Sequence, residues 1–316
     1  MGKLKITIED AGRRLDKFLA ERLPELSRSQ IQKQIKEGLV TVDGQKVAPH
    51  YFLKEGDEIE RTLKSATQEE KKAGLSTKRF SLRIIAETPA YIVVDKPAGL
   101  AVHRSGNIQG ETLADLLLKR YPELEGVGED PARPGIVHRL DKDVSGLMVV
   151  ARDQEAFKKL KKQFQGRSVE KVYLALVYGH LDKESGTINF PIERSSSGRR
   201  MAALPLTRKG EANLEGREAI TEFKVLKNFI NYAFLEVRIK TGRTHQIRVH
   251  LAAYDHPIVG DDLYGTNKTK LKNKKFNLGR VFLVSSRLTF KDAEGKRQTF
   301  EIDLPERLKE ILKEVK

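Results

Sequence analysis

Cysteine is absent from the whole chain of 316 residues, and this absence excludes disulfide bonds and thiolate metal sites. It agrees with a reducing compartment, so we expect the cytoplasm. No apolar run reaches the roughly 18 residues of a membrane-spanning helix, and the N-terminal sequence MGKLKITIEDAGRR lacks the apolar core of a secretion signal. We therefore expect a soluble globular protein that does not have a membrane as its partner.

Acidic residues are too few to balance the basic ones. The chain has 59 Lys and Arg against 44 Asp and Glu, which gives a net charge of +15. Such an excess most often serves binding to a polyanion, usually nucleic acid, although it also serves solubility. The basic runs KTKLKNKK (268–275) and ERSSSGRRMAALPLTRKG (193–210) are expected to be loops, either simply solvated or in contact with phosphates.

The N-terminal residues predict a compact unit of two helices and a hairpin. Apolar residues recur at helical spacing in RRLDKFLAERLPE and again in SRSQIQKQIKEGLV, where Ser27 or Ser29 is a candidate N-cap. LVTVDGQKV then reads as a hairpin that turns at Asp43 and Gly44, and KEGDEIE adds a last strand. In the absence of further evidence, this is either a plain helical hairpin with mixed surface charges or a binding module.

The order and spacing of these elements resemble the alpha-L type RNA-binding domain, which we expect at residues 1–63. The resemblance implies that basic residues of the two helices face RNA. They are Arg13, Arg14, Lys17, Arg28, Lys33 and Lys36.

Residues 64–79 are poor in apolar side chains and predict a linker. From there to the C-terminus, residues 80–316 alternate strand-like segments such as YIVVDK and YAFLEVRIKTG with helices such as DQEAFKKLKKQFQG, capped by Asp153 and stopped by Gly166. Strands outnumber helices without regular alternation, so we expect an α+β fold with a mixed, largely antiparallel sheet and flanking helices.

One polar stretch lies between two apolar runs, in GIVHRLDKDVSGLMVVAR (135–152). Three interpretations remain open for it. Asp141 forms a structural ion pair, or it binds a divalent metal with Asp143 and His138, or it is a nucleophile or base. The metal interpretation is weak, because no His-Glu-x-x-His pattern occurs in the chain.

This stretch resembles the catalytic motif of the RluA/RluD-type ribosomal large-subunit RNA pseudouridine synthases. Three further stretches match that family in order: YIVVDKPAGLAVH (91–103), EKVYLALVYG (170–179) and KTGRTHQIRVHLAAYDHPIVGDDLYG (240–265). The similarity covers roughly residues 80–305, and the preceding RNA-binding module matches the two-domain members of the family.

The resemblance implies an isomerase that converts specific uridines of RNA to pseudouridine without cofactor or metal. It assigns the catalytic carboxylate to Asp141, as nucleophile or base, its ion-pair partner to Arg243, and the aromatic face that holds the uracil to Tyr173. Arg139 is the candidate that fills the space left by the extruded uridine. The remaining residues assigned to the substrate pocket are Ile247, His103, Lys96 and Lys142.

The expected partner is large-subunit ribosomal RNA, including RNA in assembling subunits, and we expect a monomer. Two rival functions remain: a ribosomal RNA-binding assembly factor without catalysis, and a metal-dependent RNA hydrolase.

Overall fold

The computed structural model describes residues 4–23, 26, 28–62, 80–104, 110–195, 200–203 and 216–315. The chain divides into two compact units, Met1–Lys78 and Arg79–Lys316. Three predicted features lie outside the described residues: the linker at 64–79, a cap at Ser27, and the side chains of Ser29 and Lys33. Nowhere in the described ranges is a helix long and apolar enough to cross a membrane.

The first unit has the predicted order of helix, helix and hairpin. Its elements are β1 (Leu4–Lys5), α1 (Leu15–Arg22), α2 (Arg28–Glu37), β2 (Val40–Val42), β3 (Gln45–Lys46) and β4 (Glu58–Arg61). The strands form one sheet in the order β1-β4-β2-β3. Asp43 and Gly44 both have positive φ, 50° and 73°, as the predicted two-residue turn requires. Phe18 and Ile31, one from each helix, are buried in its core.

The second unit is built on one large sheet. Its strands are β5 (Arg83–Glu87), β6 (Tyr91–Lys96), β7 (Ser145–Ala151), β8 (Glu170–Tyr178), β9 (Ser185–Ile188), β10 (Ile192–Arg194), β11 (Met201–Ala203), β12 (Thr221–Asn228), β13 (Tyr232–Ile239), β14 (Leu283–Lys291) and β15 (Arg297–Glu301). Its helices are α3 (Leu113–Arg120), α4 (Gln154–Gln165), α5 (Gln246–Ala253), α6 (Asn267–Phe276) and α7 (Glu306–Glu314).

The sheet runs in the order β5-β6-β7-β14-β8-β13-β12-β9, with β15 added against β14. Among the described strands, only β7 and β14 pair in parallel, so the predicted mixed, largely antiparallel sheet is confirmed. All seven residues of β7 are buried, which explains why this strand reads as a continuous apolar run instead of an alternating one. Strand β10 pairs with β11 in a separate two-stranded ribbon.

Helix α4 begins and ends where its sequence predicts. The Asp153 side chain accepts hydrogen bonds from the backbone N–H groups of Glu155 at 2.9 Å and Ala156 at 2.8 Å, and Gly166 follows the last turn. Phe157 and Leu160 on one face of the helix are buried in a core cluster with residues of β7. An N-cap and an apolar stripe therefore suffice to define this element.

The lysine-rich run at 268–275 was expected to be a loop, and this prediction is wrong. It forms most of helix α6, because polar instead of apolar residues anchor it. The side chain of Asn273 is buried and its Oδ1 accepts hydrogen bonds from the Tyr178 hydroxyl at 2.7 Å and from the Gly260 N–H at 2.8 Å. The other basic run, 193–210, was also expected to be a loop, but part of it forms strand in β10 and β11, while its residues 196–199 and 204–210 lie outside the described residues.

Candidate active site

Asp141 lies in the loop that precedes β7, and buried apolar residues anchor this loop on both sides. Leu140 is 4% exposed and Val144 is 2% exposed, so both neighbours belong to the core. The Asp141 side chain is 17% exposed and lines a cavity of about 90 Å³. A carboxylate held between two core residues has little freedom to turn away, as a reacting group requires.

A buried lysine supports the same loop from beneath. The Lys96 ammonium is fully buried and donates hydrogen bonds to the carbonyl oxygens of Leu100 at 2.8 Å and Lys142 at 3.2 Å. The Gly99 N–H donates to the same Lys142 carbonyl at 2.8 Å. Burial lowers the pKa of Lys96 to about 7. Lys96 therefore does not line the cavity, contrary to its expected place at the rim, and instead fixes the backbone next to Asp141.

The ion-pair partner of Asp141 is Arg248, in the first turn of α5. Its Nη1 donates to Oδ2 of Asp141 at 3.1 Å. Its Nε and Nη2 donate to the two carboxylate oxygens of Asp261 at 2.7 and 2.9 Å. Burial disfavours the charge of Arg248, but hydrogen bonds and attraction from the two carboxylates outweigh burial and raise its pKa. One guanidinium thus stays charged and holds two aspartates.

The family resemblance assigns the partner of Asp141 to Arg243, and this pairing is wrong. Nε of Arg243 donates to the backbone carbonyl of Glu218 at 3.0 Å. The backbone N–H of Arg243 donates to Oε1 of Gln246 at 3.0 Å. Arg243 precedes the helix, whereas Arg248 lies within it on the side of the Asp141 loop. Arg243 still lines the same cavity as Asp141, so the structure brings it to the site without the expected ion pair.

The chain enters α5 through a residue with a left-handed backbone. His245 has φ 55° and ψ 20°, which non-glycine residues rarely adopt. Gln246 holds this turn, because its side chain accepts from the Thr241 hydroxyl at 2.8 Å and donates to the Thr221 hydroxyl at 3.0 Å. The conformation places Nε2 of His245 3.8 Å from Oδ2 of Asp141. The strain is therefore located directly beside the carboxylate.

The other ring nitrogen of His245, Nδ1, lies 2.8 Å from the Tyr264 hydroxyl. Burial lowers the pKa of His245, although the negative charge of Asp141 opposes this shift. The imidazole is therefore mostly neutral at pH 7 and leaves Arg248 as the cation that balances Asp141.

Tyr173 reaches the cavity from β8. Its side chain is buried and lies opposite Ser285 in the pairing of β8 with β14. Burial raises the pKa of Tyr173, and the charge of Asp141 adds to this shift, so the phenol stays protonated at neutral pH. Ile247 and Leu283 also line the cavity. The site thus combines one carboxylate, one guanidinium and an aromatic face, which suits a flat polar ring joined to a sugar.

Comparison with known proteins agrees with this chemistry. Residues 90–253 match the family model described as RNA pseudouridylate synthase, and residues 13–59 match the S4 domain model. An uncharacterized RNA pseudouridine synthase of Aquifex aeolicus is 40% identical over 98% of this chain and 95% of its own length. The ribosomal large subunit pseudouridine synthase D of Xanthomonas campestris is 40% identical over 81% of this chain and 72% of its own.

A solved structure, human RNA Pseudouridylate Synthase Domain Containing 4, has 26% identity and a TM-score of 0.57 over 72% of this chain and 93% of its own. This chain belongs to the RNA pseudouridine synthase family. The synthase is accordingly an isomerase that acts on RNA, and the S4 match identifies its first unit as the predicted RNA-binding domain.

The structure brings part of the predicted substrate pocket together. Arg139 and Ile247 line the cavity with Asp141, and Arg139 is exposed. Lys142 is exposed but is not among the described residues that line this cavity. His103 was expected at the rim and is instead buried at 3% exposure, with neither ring nitrogen hydrogen bonded to any described residue. The expected place of His103 at the pocket rim is therefore wrong, whereas Lys142 lines a neighbouring cavity together with Asp141.

His138 belongs to the packing of the synthase. Its Nε2 accepts from the Val149 N–H at 3.0 Å, and its ring stacks on Phe164 at 4.4 Å. Burial lowers its pKa to about 3, and the positive charge of Lys171 adds to this shift. In the part of the chain that the structure describes, no group of three acidic or histidine side chains could hold a metal ion.

In the RNA-binding domain, buried Asp16 organises two of the predicted cations. Nη2 of Arg14 and of Arg28 lie 3.1 and 2.8 Å from its carboxylate. Burial would raise the pKa of Asp16, but hydrogen bonds from Gln32 and from these arginines lower it to about 2. The side chains of Arg14 and Arg28 are still 34% and 48% exposed. The predicted arginines are therefore fixed in place and also open to solvent.

The other predicted cations of this domain differ in freedom. Arg13 pairs with Asp10 at 2.9 Å and also with Glu21. Lys17 and Lys36 are exposed on α1 and α2. The lysines are thus better placed than Arg13 to exchange a solvent counterion for a phosphate.

Three residues of the site were not predicted: Arg248, His245 and Asp261. A signal for Arg248 exists in the sequence, since it is the one Arg or Lys in the segment IRVHLAA, which is apolar apart from this residue and His250, and a buried charge needs a partner. The identity of that partner follows only from the folded loops, because Asp141 is 107 residues away along the chain.

Proposed function

We propose that this synthase isomerises uridine in large-subunit ribosomal RNA, with Asp141 as the catalytic carboxylate. The observation that supports this best is the geometry of three side chains: Asp141 accepts a hydrogen bond from buried Arg248 and lines one cavity with Tyr173. The ribosomal substrate is inferred from relatives such as the ribosomal large subunit pseudouridine synthase D of Xanthomonas campestris and from the S4 match.

In this reaction the bond between ribose carbon 1′ and uracil nitrogen 1 breaks, the ring rotates, and carbon 5 bonds to carbon 1′. The hydrogen of carbon 5 leaves as a proton, and nitrogen 1 gains one, so no group is lost overall. Asp141 acts on the ribose either as a nucleophile at carbon 1′ or as a base that removes the carbon 2′ proton. Arg248 holds the Asp141 carboxylate in position through its hydrogen bond, and the Tyr173 face retains the detached base.

The uridine must leave its stack before it reaches this cavity, at a cost of a few kcal/mol. Arg139 is exposed at the cavity edge, where its guanidinium would stack in the vacated space. No cofactor takes part in the proposed reaction, and the synthase acts as a monomer on naked or assembling large-subunit RNA.

Asp141→Asn tests the proposal. The amide has the same size but no negative charge, so the variant should bind ribosomal RNA with the affinity of the wild type and form no pseudouridine. Mapping of pseudouridine in large-subunit RNA from a strain that lacks the protein identifies the target. Wild-type protein that binds RNA but leaves every uridine unchanged would favour a non-catalytic assembly factor. Deuterium at carbon 2′ gives a large, primary isotope effect only if Asp141 acts as a base, because only that route breaks the bond between carbon 2′ and its hydrogen.

A further inference from the structure

A second cavity, of about 380 Å³, adjoins the one that contains Asp141. Lys171 and Tyr173 are two residues apart on β8, so their side chains lie on the same face of the sheet. Tyr173, Arg139 and Arg243 line both cavities. The two spaces therefore share a wall, and Lys171 extends the site beyond the uridine cavity.

The second cavity is strongly basic. Its floor includes Phe164 and His138, and five described residues of its lining carry a positive charge, with no aspartate or glutamate among the lining residues that the structure describes. The five are Arg139, Arg167, Lys171, Lys240 and Arg243. We call this space the basic cavity.

Lys171 differs from the other four cations in its partners, because Arg139 is exposed to solvent and Arg243 donates a hydrogen bond to the Glu218 carbonyl. Arg167 is paired with Glu218 at 2.7 Å and Lys240 with Glu222 at 3.5 Å. The Lys171 ammonium instead lies 5.9 Å from the centre of the Phe164 ring, and no carboxylate of the described ranges forms an ion pair with it. Its burial lowers its pKa to about 8.

A partly buried ammonium without a counterion is costly, and an anion in the cavity would relieve that cost. A uridine extruded into the neighbouring cavity remains tied to its strand by a phosphate on each side. Because the two cavities share lining residues, a phosphate next to the target uridine can reach the basic cavity. An RNA phosphate therefore meets both the charge and the position of Lys171.

We propose that the basic cavity binds a backbone phosphate of the RNA strand next to the target uridine, with Lys171 as its principal contact. This inference rests on the proposed function. The contact positions the strand and reads no base, since phosphates carry no sequence information. It holds the extruded nucleotide while the bond to its base is broken.

The test compares Lys171→Met with Lys183→Met in the full-length enzyme. Lys183 is exposed in the turn between β8 and β9 and serves as the matched control. The substrate is a ribosomal RNA fragment with the uridine mapped for the wild type. Lys171→Met should raise KM about tenfold, the loss expected for one charge-assisted hydrogen bond. It should also reduce the slope of log affinity against log salt by about one, and Lys183→Met should change neither.

An RNA series with single methylphosphonates tests the same contact from the side of the RNA, first with wild-type enzyme and then with the Lys171 variants. Each member lacks the charge of one phosphate on either side of the target uridine. One of these substitutions should weaken binding of the RNA to the wild-type enzyme. It should not weaken binding to Lys171→Met any further, because that variant has already lost the contact. It should weaken binding to Lys171→Arg, because arginine keeps the positive charge.

Three outcomes would each overturn the phosphate contact. The first is a salt slope in Lys171→Met equal to that of the wild type, and the second is a fall in kcat without a change in KM. The third is that the losses of affinity from Lys171→Met and from the methylphosphonate add up when the two are combined. The proposed function is judged separately, by pseudouridine formation with wild-type enzyme and unmodified RNA. If the wild-type enzyme forms pseudouridine and Lys171→Met keeps the salt slope of the wild type, only the phosphate contact in the basic cavity is rejected.

Discussion

Nη1 of Arg248 lies 3.1 Å from Oδ2 of Asp141, although the two residues are 107 positions apart in the chain. The bond joins the loop before β7 to the first turn of α5. Arg248 also donates two hydrogen bonds to the carboxylate of Asp261. The loop that carries Asp141 is thus held by a guanidinium whose own position is fixed, and the first two predictions concern this arrangement.

Arg248→Lys should nearly abolish pseudouridine formation. Lysine keeps the charge but cannot bridge two carboxylates with a planar fork, so the loss should be on the order of 100-fold or more in kcat. Arg243→Lys, which leaves the bond between Asp141 and Arg248 intact, should lose less activity. Single-turnover rates on the mapped RNA fragment measure both. An inactive Arg243→Lys beside an active Arg248→Lys would show that the observed ion pair is not the functional one.

Asp261→Asn tests whether Asp261 acts through Arg248. The amide removes a charged, two-point partner and lets the guanidinium tilt away from Asp141. The kcat should fall by about tenfold, the cost of one hydrogen bond to a charged group, with KM unchanged. Rescue by Asp261→Glu, together with a KM equal to that of the wild type, supports a positioning role. A rise in KM alone would instead place Asp261 in RNA binding.

Acid should destabilise the second unit through His138. Its folded pKa of about 3 lies below the value of 6.5 for a free histidine, so the unfolded chain binds a proton that the folded chain does not. The contribution of His138 to stability is complete above pH 6.5 and is lost progressively as pH falls from 6.5 towards 3. In that window, proton uptake by His138 in the unfolded chain lowers the free energy of unfolding by up to about 1.4 kcal/mol for each pH unit of acidification.

His138→Gln removes this proton uptake, and its amide oxygen can still accept from the Val149 N–H. Denaturant unfolding between pH 6.5 and 4.5 should therefore show a shallower loss of stability in this variant than in the wild type. His180→Gln, at an exposed histidine, should follow the wild type. Parallel curves for all three proteins would mean that His138 is not buried in its neutral form.

The exposed lysines of the RNA-binding domain should contribute to affinity in a salt-dependent manner. Lys17→Ala and Lys36→Ala should each reduce the slope of log affinity against log salt by about one, while leaving kcat at saturating RNA unchanged. Lys54→Ala, an exposed lysine outside the two helices, is the matched control. Filter binding at several salt concentrations measures the slopes, and equal slopes for all three variants would argue against RNA on this helical face.

The local elements followed from the sequence because short-range forces determine them. The Asp153 cap, the Asp43-Gly44 turn and the apolar run of β7 each depend on residues a few positions apart. Helix α6 was not predicted because it lacks an apolar stripe. Buried polar contacts stabilise it instead, such as that of Asn273 with Tyr178, which is 95 residues away.

The sequence by itself also determined the family and the residues that face the cavity, Asp141 and Tyr173, because these are carried by contiguous motifs. Only the tertiary structure decided that Arg248 instead of Arg243 meets Asp141, that Lys96 supports the loop from inside the core, and that Lys171 lines a second basic space. The physical reason is that an ion pair depends on distances and burial between segments. A motif records which charges are present, whereas the packing of α5 against the loop before β7 selects which of them touch.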